Sequence, residues 1–414
     1  MSRVIALCFL LLAAVIGFLH IDSRPAWAPF AISTLAPLEE EPELQPSPKG
    51  KASTIPNKPS VASPIATWLP DTGAASVHAA SLIALQDGTV RAFWFAGSRE
   101  GATDVSIYSA TLDPKSSSWS APTVVMDRVG AEKALSRYIA KLGNPVPARM
   151  ADGRLQLFFV TVSIGGWAGS SISSVISDDE GLTWGTPQRL ISSPLINLST
   201  LVKSPAVSFT DGRLGLPAYH EWIGRFGEFL RVDAGQVIDK RRMSAGRSAI
   251  QPLVFVSSAQ EATALFRQTR SADQPKQVPV SQTQNAGQSW QSETDLPIAN
   301  PNSAVTGLLL NDGARILVLN NIETGRYRLV IMMSDAKSQW QVIEVLEDDE
   351  SLSDEQRKEF SYPYLISVDG NDAHLVYTWD RKKIRHRYFS GAWLKRAHDQ
   401  LNTAEIVAAP EESK

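Results

Sequence analysis

Ser177-Asp178-Asp179-Glu180-Gly181-Leu182-Thr183-Trp184 reads S-x-D-x-G-x-T-W, and that pattern prescribes a hairpin turn. An aspartate in the third place accepts hydrogen bonds from local backbone amides, the glycine supplies a positive φ, and the closing tryptophan packs on the hairpin. Thr283-Gln284-Asn285-Ala286-Gly287-Gln288-Ser289-Trp290 is a softened copy. Weaker remnants stand at Ser109 to Trp119, at Asp233-Ala234-Gly235 and from Ser334-Asp335 to Trp340, and Trp393 closes one more unit.

A second signal is interleaved with the first. Asp-Gly pairs at Asp87-Gly88, Asp152-Gly153, Asp211-Gly212, Asp312-Gly313 and Asp369-Gly370 break strand-like apolar runs. Asp-Gly between such runs is a strong hairpin signal. The flanks agree, because residues 89–95 and 154–160 are rich in strand formers. Helical periodicity is confined to two short stretches, Ala131 to Leu142 and Ser351 to Lys358. A repeat of about 50 residues belongs to blade architectures. Counting from Trp119 through Trp184, Gly235, Trp290, Trp340 and Trp393 predicts an all-β fold, one closed six-bladed β-propeller of four antiparallel strands per blade. Ring closure removes the exposed sheet edges.

The bulk composition is that of a globular protein: 414 residues, 43% hydrophobic, 20% charged, formal net charge -3. That balance lacks the basic face that nucleic-acid binding requires, so no nucleic-acid partner is expected. The one cysteine, Cys8, lies in an N-terminal apolar run from Val4 to Leu19. Met1-Ser2-Arg3, that run and Ala26-Trp27-Ala28 together read as a secretory signal peptide over residues 1–28. The competing reading is an uncleaved inner-membrane anchor, a tether through residues 4–19; both place the chain outside the cytoplasm, periplasmic or secreted. Removal of the segment leaves no thiol for a disulfide, a metal site or a nucleophile.

Residues 29–66 hold about a third of the prolines and the acidic run Glu39-Glu40-Glu41, a composition that suits an extended linker. The propeller is expected over residues 67–396, followed by a polar tail over 397–414. Neither a metal nor another cofactor is expected, since no ligand spacing or calcium loop is present. A monomer is expected.

The segments Phe95-Ala96-Gly97-Ser98-Arg99-Glu100-Gly101, Asn144-Pro145, Ala249-Ile250-Gln251-Pro252, Pro301-Asn302-Ser303 and Ser361-Tyr362-Pro363 through Tyr377-Thr378-Trp379 resemble the bacterial sialidase-like (neuraminidase-like) family with Asp-box repeats. The resemblance covers roughly Thr67 to Trp393 and identifies the S-x-D-x-G-x-T-W turn as an Asp box, whose aspartate is structural. It implies cleavage of a terminal sialic acid with retention, using a tyrosine nucleophile instead of the common pair of carboxylates. It also implies a base for the phenol, an aspartate acid and three arginines that clamp the sugar carboxylate.

Carried over residue by residue, the resemblance makes Tyr362 the nucleophile and Asp104, five residues after Arg99, the acid. Arg326 and Arg270, or else Arg267, become clamp arginines, with Arg99 and Gln251 as further substrate contacts. Two positions depart from the family pattern. The first clamp arginine is expected where Val77-His78-Ala79-Ala80 stands, which leaves His78 or nothing in that role. The activating glutamate is expected close to Gln251, where Ala249 stands. Glu221, in Tyr219-His220-Glu221-Trp222, is the replacement base, with Glu100 as a second candidate, and Arg381 of the run Arg381-Lys382-Lys383 can add positive potential. The expected function is an exported exo-glycosidase acting on a carboxylated sugar or its glycoconjugate. The alternatives are a lectin-like propeller that has lost the base, and a cell-envelope scaffold.

Overall fold

The computed structural model describes residues 2–22, 26–32, 64–113, 116–193, 197–334 and 339–408. Six antiparallel sheets of four or five strands follow one another along the chain and form a six-bladed β-propeller. Blade one opens with the strands Ser76–Ala84, Val90–Gly97 and Ser106–Asp113, and blade two with Lys141–Arg149, Leu155–Val162 and Ser170–Ser177. Blade three contains Leu214–His220, Phe226–Asp233 and Gln236–Arg242. Blade four contains Ala249–Val256, Ala262–Gln268, Gln277–Thr283 and Gln291–Ala299. Blade five contains Thr306–Leu309, Arg315–Leu319, Arg328–Ser334 and Trp340–Asp348. Blade six takes its first three strands, Phe360–Ile366, Ala373–Trp379 and Lys383–Phe389, from the C-terminal end and its outer strand, Ile65–Trp68, from the other. That pairing, with Thr67 opposite His386, closes the ring.

Each blade interface has its own apolar cluster. Phe93 and Phe95 of blade one meet Leu157 and Phe159 of blade two, and Ile316 and Ile331 of blade five meet Leu375 and Tyr377 of blade six. Because second strands lie between neighbouring blades, Val90–Gly97 and Leu155–Val162 are buried along their whole length. This explains their continuous apolar runs.

The box turns are built as their sequences require. Asp179 accepts from the Thr183 amide at 2.8 Å and the Thr183 hydroxyl at 2.6 Å, while Ser177 receives the Gly181 amide at 2.8 Å. Gly181 has a φ of +85°. In the softened copy Asn285 accepts from the Ser289 amide at 2.9 Å. Both tryptophans reach the preceding blade: Trp184 packs edge-on against Phe93 and Trp290 against Phe229. Phe229 has no exposed surface and is surrounded by Trp27, Phe30, Phe209 and Trp290. Phe229→Ala is therefore expected to destabilise the fold by about 3–5 kcal/mol in chemical denaturation, the cost of an unfilled aromatic site.

Among the described residues three α-helices stand outside the blade strands. The first of the two expected helical stretches is Arg128–Leu135, begun by Asp127 accepting from the Gly130 amide, whereas residues 351–358 form turns. The expected polar tail is largely a helix, Gly391–Ala408, with Leu394 buried against blade six. The N-terminal run forms a helix, Ser2–Asp22, and residues 27–32, expected as leader end and linker, lie on the propeller. Residues 33–63 and 409–414 of the expected linker and tail lie outside the described residues. No helix among the described residues is long and apolar enough to cross a membrane.

Candidate functional site

In each blade the chain runs inward to the first strand, turns, returns along the second, and crosses to the third. The second-to-third loops therefore share one face of the ring, and the Asp-Gly turns and Asp boxes share the other. Arg99, Glu100 and Asp104 (blade one), Glu221 (blade three), Arg267 (blade four), Arg326 (blade five) and Arg381 (blade six) all lie at that first face.

The innermost strands carry a repeated irregularity. Pairing shifts register between His78 and Ser81, Gly143 and Val146, Ile250 and Leu253, and Ser361 and Tyr364. The extra residue in each case has a positive φ: Ala79 (50°), Asn144 (45°), Gln251 (52°) and Tyr362 (53°). For non-glycine residues this conformation is uncommon, and bulges of this kind re-aim a side chain. Proline follows three of them, at Pro145, Pro252 and Pro363, and fits a place where the ladder is already interrupted. Three of these blades thus place a polar side chain, Asn144, Gln251 or Tyr362, in one hydrogen-bonded group, while Ala79 packs between blades one and two.

Tyr362 is the centre of what they assemble. Its hydroxyl receives long hydrogen bonds from Gln251 Nε2 at 3.4 Å and from Arg267 Nη1 at 3.5 Å. Gln251 also donates to the Tyr219 hydroxyl at 3.2 Å, which in turn lies 3.4 Å from Asn144 Nδ2. Arg267 is oriented by Asn302 Oδ1 at 2.7 Å. The His78 ring lies 4.4 Å from the Tyr362 ring, centroid to centroid. From blade three, Lys203 donates to the Pro363 carbonyl at 2.7 Å, bracing the backbone next to the tyrosine.

The electrostatics are uneven. Burial pushes the Glu221 carboxyl up from its ordinary value, against the opposing charges of Arg267 and Arg225. Burial pulls the Lys203 amine down to about 7. It also pulls His78 down to about 4, and neither ring nitrogen has a protein hydrogen-bond partner. A neutral ring therefore stands where the first clamp arginine is expected. In blade five, which neighbours that of Arg267, Arg326 donates to Glu359 at 3.0 Å and to the Asn302 carbonyl at 3.0 Å. Arg381 bridges Glu359 and Glu100. Burial works against ionisation of Glu359, yet hydrogen bonds from Arg381 and Ser361 and the charge of Arg326 hold its carboxyl at about 2.

The depressed His78 value has a consequence for the fold. The unfolded ring takes up a proton near pH 6.5 and the folded ring only near 4, so stability present above 6.5 is lost as pH falls through that window. The expected loss is on the order of 3 kcal/mol, removed by His78→Gln, in denaturation curves run from pH 7 to pH 4.

The expected site residues divide accordingly. Tyr362, Gln251 and His78 come together at the hub, and Glu221 lies close enough for the Arg267 charge to act on it. Arg326 lies next in the ring, linked to Arg267 through Asn302. Arg270 is turned away: it pairs with Asp295 and the Pro275 carbonyl, and Arg267, three residues earlier, takes the place beside the phenol. Asp104 is held within its own loop by the Ser98 amide at 2.9 Å and hydroxyl at 3.0 Å, and Arg99 is exposed on the same loop. Ala249 is buried in its strand and points no polar group at the hub. Lys203, Tyr219, Asn144, Asn302 and Glu359 were not singled out for a role. An X-Pro pair inside a strand-forming run marks Asn144, and the bulge it implies could have found it; Lys203 lies two residues before Pro205. Among the described residues no cluster of three or more His, Cys, Asp or Glu could hold a metal ion.

Residues 88–375, well over half of the chain, match the family model described as the BNR repeat-like domain. Among solved structures, a Dyadobacter fermentans protein of unknown function is 12% identical, with TM-score 0.63, covering 78% of this chain and 97% of its own. The Hadza microbial sialidase Hz136 is 14% identical, with TM-score 0.61, covering 77% of this chain and 66% of that one. The NanB sialidase of Streptococcus pneumoniae is 12% identical, with TM-score 0.60, covering 78% of this chain and 69% of that one. At such identities the likeness establishes the fold. No curated protein matches the sequence.

Proposed function

The chain belongs to the BNR repeat-like domain family, and from that premise we propose that it is an exported exo-glycosidase of sialidase type, acting on a terminal carboxylated sugar such as sialic acid. The observation that carries the proposal is the Tyr362 hydroxyl, aimed at the hub by a backbone bulge and flanked by the Arg267 guanidinium. A guanidinium there favours negative charge on the oxygen as it attacks an anomeric carbon. Arg267 and Arg326 receive the sugar carboxylate. Glu221, a carboxyl raised by burial in the same cleft, takes the phenol proton, and Asp104 supplies the acid to the leaving oxygen. The test is release of free sugar from a panel of acidic glycosides by the purified chain.

A second reading, a non-catalytic binder of the same sugars, is favoured by the chemistry around the phenol. Its hydrogen-bond partners are an amide and a guanidinium; a neutral amide has no basic site for the phenol proton. Binding of an acidic glycan with no release from any glycoside on the panel would establish this reading and remove the first.

A further inference from the structure

Ala26-Trp27-Ala28 has the form of a leader-peptidase site, yet its central residue is part of the propeller. Trp27 is 5% exposed and Phe30 is 1% exposed, in the cluster between blades three and four. The indole N–H of Trp27 donates to Asp239 at 2.9 Å, its ring packs edge-on against Phe209, and the guanidinium groups of Arg231 and Arg241 lie over it at 5.5 and 5.9 Å. Phe30 stacks on Phe209 at 5.2 Å. The backbone is engaged as well: Phe30 donates to the Ala259 carbonyl and Ala31 to the Ser208 carbonyl, each at 2.8 Å, and the Pro29 carbonyl accepts from Thr210 at 2.9 Å.

Cutting after Ala28 would remove the indole and leave a large void between Phe229, Phe209 and two guanidinium groups. It would also deprive Asp239 of its indole partner. The cost is that of losing a buried aromatic group with its hydrogen bond, so the folded propeller is complete only with residues before the expected cut.

The contacts also fix a side. Thr210 and Ala259 belong to first-to-second turns, and Gly287, whose α-carbon faces Trp27, belongs to the softened Asp box. All three lie on the face opposite the hub cleft. Asp22, the last residue of the N-terminal helix, is five residues from Trp27, so it lies within about 18 Å of that point. The large apolar side chains of this helix from Val4 to Ile16 are exposed, and no charge interrupts them. A helix that is apolar on every side has to bury that surface, and lipid is the medium outside the propeller that accepts it.

We infer that the chain is not cut after Ala28: residues 27–31 strap the N-terminal helix to the Asp-box face, and the helix holds the protein on a lipid surface with the hub cleft facing away. The inference is independent of the chemistry at Tyr362. The full chain, tagged at its C-terminus and expressed in an exporting bacterium, is fractionated, and its intact mass is measured. Residues before Ala28 present in the mass, with the protein in the membrane fraction through a salt wash and released by detergent, are the expected result. A mass beginning at Pro29, or an intact chain in the soluble fraction, overturns it. In the same full chain Trp27→Ala should lower the melting temperature by about 5 °C, while Ile32→Ala, at an exposed position, leaves it unchanged. An unchanged melting temperature for Trp27→Ala removes the strap from the fold and the inference with it.

Discussion

Tyr362→Phe is expected to lower turnover of an acidic glycoside by about a thousand-fold or more while leaving the variant folded and able to bind. The substitution removes one oxygen. In the proposed reaction that oxygen forms the bond to the anomeric carbon, whereas the neighbouring Tyr219 hydroxyl is buried between Gln251 and Asn144. Structurally the oxygen contributes little, because its hydrogen bonds are 3.4 and 3.5 Å long, at the limit of such contacts. The ring stays in place, packed beside His78 and braced through Pro363 by Lys203. Loss of stability should therefore remain below about 1 kcal/mol. The decisive comparison is steady-state sugar release against glycan affinity, measured on the same preparations. Affinity retained with release abolished supports the nucleophile. Equal release by both proteins would take the chemistry away from Tyr362.

The blade count was legible because it is enforced locally. Asp179, Gly181 and Trp184 each have a task that only a narrow set of residue types can perform, so the turn appears in the letters of the chain. The Asp-Gly pairs mark the other turns of the same face for the same reason. At the hub, Gln251 and Tyr362 were legible, each at a bulge followed by a proline, and Pro145 marks Asn144 in the same way. Arginine assignments were not, because Arg267 and Arg270 differ by three residues and opposite directions. Arg267 ends a second strand and faces the ring centre, whereas Arg270 lies past the strand end and meets Asp295 on the outer strand of its own blade. Nothing in the local pattern encodes that difference, since Asp295 is distant in sequence. Trp27 is a related case. The spacing of small residues around it matches a cleavage site, while its packing depends on Phe209 and Phe229, which lie some two hundred residues away.

The two faces of the ring also divide the labour. Box turns and the Trp27 strap occupy one face, where short hydrogen bonds and aromatic packing stabilise the ring. The other face gathers groups that stability alone would not select: a neutral buried histidine without hydrogen-bond partners, a buried lysine with a depressed value, and a carboxyl raised by burial. Clustering of such features is the physical mark of a functional site.

Glu221→Gln turns that contrast into the second large prediction. Burial raises the folded carboxyl, so the unfolded chain gives up this proton at lower pH than the folded one does. The contribution of Glu221 to stability is therefore fully present below its unfolded value and is lost as pH rises through the folded value. At neutral pH the ionised carboxylate is a cost, which a neutral amide of the same shape does not carry. Glu221→Gln should accordingly melt at a higher temperature than the wild type at pH 7, with the difference vanishing toward pH 4. Its sugar release should fall by about 10²–10⁴-fold, the range for loss of a proton-transfer group. A residue kept for structure would show the reverse, a lower melting temperature with activity intact. Melting curves at both pH values, set beside the pH profile of sugar release, separate the two cases. Arg267 imposes a further condition, because its charge opposes the effect of burial on Glu221. Arg267→Met should therefore raise the carboxyl further and shift the limb of the pH profile set by Glu221 ionisation to higher pH, even as binding weakens through loss of the clamp.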